Sequence, residues 1–389
     1  MKSILFIHQS AELYGSDKTI LMFISKLDKT KYKSIVILPF DGPLKREFEK
    51  NNITVVIAPV LKLYRKMFTP SNLMKLLKEY KEGLKIINQL HKEHNFQLVY
   101  SHTLAALIGI IFASKNKVKH LWHVQEIIAK PKLFNWVFKR ILSLKSNHKI
   151  AYDSHETMRF WIEGSTILTQ KSEAVWNGID VDQKVNYSQE QINAVRTDFF
   201  KVSPNELVIA LVGRINSWKG QPLLLDAFYL LTKKFDNIKL VFIGSAPPNQ
   251  ENFEITLNEK IKEYQLQNKA LIIPFQEEIG KFWDSIDIAV VPSTEPEPFG
   301  MVVIEAMLSE KPVVASNHGG PTEIVLPNET GFLFEPNNKE SLAENIEKLI
   351  VDPVLRKRLG TNGKKRAIEV FSVDNHVRHF EKIFEEILK

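Results

Sequence analysis

No cysteine occurs among the 389 residues. That excludes disulfides, thiolate nucleophiles and Cys-ligated zinc, and it permits a reducing compartment. No window approaches the roughly 20 consecutive apolar residues that a membrane-spanning helix needs. The nearest, Leu104 to Ala113, reads as a buried helix. The first apolar run, Ser3-Ile4-Leu5-Phe6-Ile7, is too short for a secretory leader and is expected to be a strand, so the expected location is cytoplasmic. No G-x-G-x-x-G follows any predicted strand, which argues against an NAD-dependent dehydrogenase. Internal repeats and low-complexity tracts are absent, as are zinc-finger, RNP-like and basic-zipper patterns, so no nucleic-acid partner is expected.

What is present is an ordinary globular composition. Apolar residues make up 44% and charged residues 25%, so the chain is expected to fold around buried cores. Its length exceeds what one core usually serves, and two compact domains are expected. Short β-rich runs alternate with helical segments. They predict strands at 4–8, 34–39, 54–58, 98–101, 120–123, 149–152 and 174–176, then at 208–212, 239–243, 270–274, 288–291, 312–315 and 331–334. This alternation gives an α/β fold of two doubly wound parallel sheets, with ligands at the carboxyl ends of the strands. The strand pattern stops after Asn177-Gly178-Ile179-Asp180, and domains are expected at 1–187 and 188–371. Residues 372–389 read as one amphipathic helix with Ser372 at its N-cap. The net charge of +7 is uneven: residues 1–187 hold 29 Lys+Arg against 16 Asp+Glu, and residues 188–389 hold 23 against 29.

Several phrases carry chemistry. Pro292-Ser293-Thr294-Glu295-Pro296-Glu297-Pro298-Phe299-Gly300 is an acidic, Pro-rich loop after a strand, and Met301-Val302-Val303-Ile304-Glu305-Ala306 opens a helix. Backbone N–H groups at that helix start can face an anion. Glu297 in the loop and Glu305 one turn into the helix could reach one polyhydroxylated ligand, each charged hydrogen bond contributing about 1.5–3 kcal/mol. The alternative is a solvated acidic loop. Gly213-Arg214-Ile215, then Lys219-Gly220, offers a forked guanidinium and a mobile ammonium after a strand, a pairing suited to a diphosphate; ordinary surface cations are the alternative. Ser316-Asn317-His318-Gly319-Gly320 is a second Gly-rich strand-to-helix loop, where the glycines permit a tight turn. Asp180-Val181-Asp182 follows Asn177-Gly178 at the domain boundary and reads as a turn and cap, so no metal is assigned.

Taken together these phrases resemble the GT4-type family of retaining glycosyltransferases, glycosyl transferases group 1, of GT-B architecture. The resemblance covers nearly the whole chain, most strongly from Val175 onward. It rests on Glu297-Pro298-Phe299-Gly300 with Glu305 eight residues after Glu297, on Gly213-Arg214 followed by Lys219-Gly220, and on Asn177-Gly178-Ile179-Asp180. It implies two Rossmann-like domains facing a central cleft. The first would bind the acceptor, the second the nucleotide sugar, and the last helix would pack back on the first domain. The catalytic set is then Arg214, Lys219 and Glu297. Arg214 and Lys219 hold the donor diphosphate, Glu297 takes sugar hydroxyls and Glu305 ribose hydroxyls, while Gly15, Gly213, Phe299, Gly300, Met301 and Val302 complete the donor site. Transfer would retain anomeric configuration without a metal or resident cofactor, from a UDP- or GDP-sugar.

In the first domain Gly15 fits the family's loop, with Ser16 in place of a second glycine and Lys18 where an acidic residue is frequent. Gln125 stands where the family often has His, and Glu126 follows it. His123, two residues earlier, and His102, at another strand's end, are further candidates for acceptor or sugar contacts. The resemblance implies transfer to a glycan or lipid-linked acceptor in surface polysaccharide or glycoconjugate synthesis. A GT-B sugar-nucleotide epimerase or phosphorylase, or a catalytically silent nucleotide-sugar-binding protein, are the alternatives.

The basic first half has two stretches, Lys62 to Lys85 and Lys130 to Lys149, with Leu, Phe, Trp and Tyr among the cations. Phe134, Val137, Phe138 and Ile141 recur at helical spacing, the form of an interfacial helix on anionic lipid. A core-facing helix with a basic outer face has the same pattern. The charge excess favours peripheral contact with an anionic membrane, which would be the inner face of the cell membrane.

Overall fold

A computed structural model describes residues 1–62, 70–182 and 184–389. Residues 63–69 of the first basic stretch, and Gln183, lie outside the described residues. The chain divides into two compact units, Met1–Gly178 with Val373–Lys389, and Ile179–Ser372. The division falls inside the Asn177-Gly178-Ile179-Asp180 phrase rather than after Tyr187. Residues just beyond that phrase are held in the second unit: Lys184 Nζ lies 3.0 Å from Asp284 Oδ1, and a Cβ on Gly280 would come within 2.9 Å of the Tyr187 hydroxyl.

The first unit is built on a parallel sheet of β1 (Lys2–Ile7), β2 (Tyr32–Leu38), β3 (Thr54–Ile57), β4 (Leu98–His102), β5 (Lys119–Val124), β6 (Asn147–Tyr152) and β7 (Ser172–Ala174), in the order β3-β2-β1-β4-β5-β6-β7. Both faces are covered, so its strands are apolar without strict alternation. Along β1, Leu5 and Ile7 enter one core with Ile108 and Trp122. Ile4 and Phe6 enter the other, with Phe23 and Phe380. The last helix, Val373–Leu388, buries Val373, Val377, Phe380, Phe384 and Ile387 on one face. It packs on this second core, Phe380 lying 4.8 Å from Phe23 between ring centroids.

The second unit repeats the plan with β8 (Leu207–Val212), β9 (Ile238–Ile243), β10 (Ala270–Ile273), β11 (Ile288–Val291), β12 (Val313–Ser316) and β13 (Gly331–Phe334), ordered β10-β9-β8-β11-β12-β13 and parallel throughout. In each sheet the strand order reverses at one point, between β1 and β4 and between β8 and β11. A doubly wound sheet opens its ligand crevice at that point, outside the carboxyl ends of the strands. The candidate residues follow these strands directly.

Candidate functional site

In the second unit the loop after β8 carries Gly213, Arg214 and Lys219, and the loop after β11 carries Glu297. Two close approaches lock the first loop. Gly220 has φ +80°, and a Cβ there would stand 1.9 Å from the Pro292 carbonyl oxygen. Gly244 has φ +145°, and a Cβ there would stand 2.1 Å from the Gly213 oxygen. Only glycine meets both demands. Asn216 Oδ1 accepts from the Trp218 and Lys219 N–H groups at 3.1 and 3.0 Å, and Thr294 N–H donates to the Trp218 carbonyl at 2.8 Å. The two loops are thus one braced structure.

Within that brace Lys219 Nζ lies 2.8 Å from Glu297 Oε1 and 4.5 Å from the Trp218 ring centroid. Glu297 is 3% exposed, and the Ser293 hydroxyl also donates to its Oε1. Neither bond engages Oε2. Arg214 is exposed on the same loop. The second Gly-rich loop holds Glu297 from behind: Gly320 N–H donates to the Glu297 carbonyl at 2.8 Å. His318 Nε2 donates to the Ser293 carbonyl at 2.8 Å. Gly319 has φ +66°, and a Cβ there would approach that same Glu297 carbonyl to 2.4 Å. Its role is therefore close approach as well as turning. Gly300, φ +105°, precedes the helix Met301–Leu308, with Met301 and Val302 part-exposed in its first turn. Phe299 is buried against Phe371 at 5.9 Å between centroids, so its side chain anchors the loop from inside. Glu305 is part-exposed and accepts from Trp283 Nε1 at 3.3 Å.

In the first unit Gly15 opens the helix Gly15–Lys26, where a Cβ would meet nothing within 4 Å. Asp17 fixes that start, its Oδ2 accepting from Tyr14 N–H at 2.8 Å while Oδ1 lies 2.6 Å from His8 Nε2. His8, at the end of β1, also lies 2.9 Å (Nδ1 to Nδ1) from His102, at the end of the neighbouring β4. His123 Nδ1 lies 2.7 Å from the Tyr100 hydroxyl, and His376 Nδ1 donates to the Trp176 carbonyl at 2.7 Å. These rings are enclosed: His102 and His123 sit in the interior, with Phe380 5.0 Å from the His123 centroid. Burial holds the pKa of both far below the usual histidine value, and brings that of His376 down to about 4. Among the described residues no three His, Asp or Glu are arranged to hold a metal ion.

Gln125 and Glu126, by contrast, stay part-exposed just past β5. Gln125 Nε2 donates to Asn177 Oδ1 at 3.1 Å, which ties the strand end to the Asn-Gly phrase. Glu126 accepts from the N–H groups of Leu104, at 3.0 and 3.1 Å, and Gln125, at 3.1 Å. Desolvation nevertheless pushes its pKa up to about 7. The loop it grips begins at Thr103, whose φ of +72° is strained for a β-branched residue. The Trp122 indole supports that residue, donating to its carbonyl at 2.8 Å.

Residues 196–366 match the family described as Glycosyl transferases group 1. The capsular polysaccharide biosynthesis glycosyltransferase CapM of Staphylococcus aureus is 29% identical over 324 residues, 81% of this chain and 83% of that protein. The alpha-1,3/1,6-mannosyltransferase ALG2 of Dictyostelium discoideum is 31% identical over 218 residues, 53% of this chain and 51% of that one. The match to glycosyl transferases group 1 thus takes in most of the second unit. Among solved structures it is similar to HepE of Anabaena in complex with UDP, with a TM-score of 0.83 and 25% identity over 99% of this chain and 100% of that one. The fold of this glycosyltransferase is accordingly GT-B.

Within the second unit the structure brings together Gly213, Lys219 and Glu297 and places Arg214 on the same loop. Sequence reasoning missed Ser293, Trp218 and Asn216, which hold that set, and Asp17, Tyr100 and His376, which enclose the first-unit histidines. Ser293, Asn216 and Trp218 had a local signal, lying within or between the phrases that carry Glu297, Arg214 and Lys219, and Asp17 lies two residues after Gly15.

Proposed function

We propose that this glycosyltransferase moves a sugar, with retention of configuration, from a nucleoside-diphosphate sugar to a glycan or lipid-linked acceptor. The observation that carries the reading is the Lys219–Glu297 pair at the switch point of the second sheet, with Arg214 on the same loop. In the donor complex the two cations take the diphosphate. Glu297, whose Oε2 is engaged by neither Lys219 nor Ser293, takes sugar hydroxyls, and Glu305 takes ribose hydroxyls. The Met301–Leu308 helix start adds backbone donors to the phosphates. As the acceptor oxygen bonds to the anomeric carbon, the carbon–phosphate oxygen bond breaks. The acceptor proton passes to the departing phosphate, whose growing charge Arg214 and Lys219 stabilise. No metal or resident cofactor is assigned a step. The first unit supplies the acceptor side, with Gln125 and Glu126 just past β5 and the enclosed His102 and His123 behind the strand ends.

HepE was solved with UDP, which supports a UDP-sugar over a GDP-sugar, and similarity to CapM supports surface polysaccharide synthesis. A thermal-shift panel of UDP-, GDP-, ADP- and dTDP-sugars tests the donor. At saturating ligand a UDP-sugar is expected to add about 2.7 kcal/mol at a hundredfold excess over Kd, and Arg214→Ala to abolish most of the shift. A panel in which no sugar nucleotide moves the midpoint would remove the reading.

A further inference from the structure

The apolar stripe legible in the sequence is not the one the protein exposes. In the helix Lys132–Leu142, Phe138 and Leu142 are buried, and Phe134 and Ile141 pack against the same core. The outer face instead presents Leu133, 67% exposed, and Trp136, 56% exposed, with Leu144 exposed just beyond the helix. Arg140 stands over the Trp136 ring at 5.4 Å, keeping a guanidinium beside the open indole. No acidic residue occurs between Glu126 and Asp153, a span that holds Lys130, Lys132, Lys139, Arg140, Lys145 and Lys149.

A second exposed apolar group lies toward the same edge of the unit. The helix Pro70–His94 has 25 residues, about 37 Å at 1.5 Å per residue. β3 and β4, which it connects, run only about 13–17 Å. Its C-terminus adjoins the start of β4, so its first turns extend past the carboxyl edge of the sheet. Those turns expose Leu73, Met74 and Leu77, while Leu76 and Tyr80 face the core. The helix Lys132–Leu142 likewise begins at the carboxyl edge, because it follows β5 and leads back to β6. That edge also carries Gly15, the Thr103 loop, Gln125 and Glu126.

The geometry points to this rim as a docking surface for an anionic phospholipid membrane, with Leu133 and Trp136 entering the interface and Lys132 and Arg140 meeting lipid phosphates. Exposed aromatic and aliphatic side chains ringed by cations on a helix face are the composition an interface of this kind binds. The inference rests on the transferase reading in one respect: a lipid-linked acceptor would be presented at the edge where the first unit's strand ends lie.

Flotation of the full chain with vesicles of phosphatidylcholine, with and without phosphatidylglycerol, tests it. Wild-type protein is expected to float with the anionic vesicles, less as salt rises. Leu133→Ser/Trp136→Ser should weaken that binding about ten-fold or more, and Lys132→Gln/Arg140→Gln should remove the preference for anionic lipid. Both variants alter exposed side chains and should keep the wild-type unfolding midpoint. Absence of wild-type flotation, or Leu133→Ser/Trp136→Ser floating as wild type does, would overturn the proposal. Concentration-dependent dimerisation in place of flotation, lost in that variant, would overturn it too by assigning the face to a second copy. The same samples are tested for the UDP-sugar thermal shift. A retained shift without flotation sinks only the membrane surface, whereas flotation without any shift sinks the donor reading instead.

Discussion

Lys219→Ala is expected to destabilise the second unit by about 3 kcal/mol and to reduce turnover about 10²–10³-fold. The stability loss follows from what the substitution leaves behind. Glu297 is 3% exposed, and removing one partner of a buried ion pair strands the other, at roughly 3–5 kcal/mol. Lys219 retains some exposure, 16% of its side chain, which puts the effect at the low end. The turnover loss follows from withdrawing a positioned cation from charge that develops only in the transition state. The two effects separate in Lys219→Ala/Glu297→Gln, which should recover part of the stability and none of the turnover. Urea unfolding followed by a signal from the second unit, beside a steady-state assay, measures both. An unchanged unfolding midpoint in Lys219→Ala would contradict the assigned pair.

The first unit is expected to lose stability steeply as pH falls below about 6.5. His102, His120, His123 and His376 are all buried, and burial depresses each pKa, to about 3 for His120 and about 4 for His376. A depressed folded-state value means that the stability is present above the unfolded pKa of 6.5 and is lost as pH drops toward the folded value. Each unit of displacement corresponds to about 1.4 kcal/mol, so His120 and His376 alone remove on the order of several kcal/mol, and His102 and His123 act in the same direction. Glu126 acts in the opposite sense. Its pKa is raised to about 7, so its unfavourable burial is relieved as pH falls toward 4.5, an offset of one group against four. Thermal midpoints between pH 7.5 and 4.5 check this with His376→Gln as comparison. The account expects a fall in the wild type that is shallower in the variant, and a flat profile would refute it.

Much of the fold could be read from the residues because the strands other than β7 are mostly short β-rich runs bounded by turn residues, and both sheets are covered on two faces. The expected strand at 174–176 lies instead at Ser172–Ala174. Its position is set by the ladder with Ile150–Tyr152, which recruits the polar Ser172 and Glu173, and apolarity alone cannot locate such an edge. The donor-side loops were legible as phrases, each following a strand. Their meeting was not, since Lys219 and Glu297 are 78 positions apart; the strand order that puts β8 beside β11 closes that distance. The histidine network was illegible for the same reason: His8 meets His102 across 94 positions, and His376 reaches Trp176 across 200. The helix at Lys132–Leu142 shows the limit of periodicity. A 3.6-residue stripe reports that a face is covered, and whether core or lipid covers it depends on the rest of the fold.

Hydrolysis of a sugar nucleotide without added acceptor tests the central claim most directly. Wild-type protein is expected to hydrolyse a UDP-sugar slowly, and Arg214→Ala and Glu297→Ala, each still folded, to lose about 10²-fold or more of that rate. If neither substitution diminishes the hydrolysis, the loops after β8 and β11 are not the donor site.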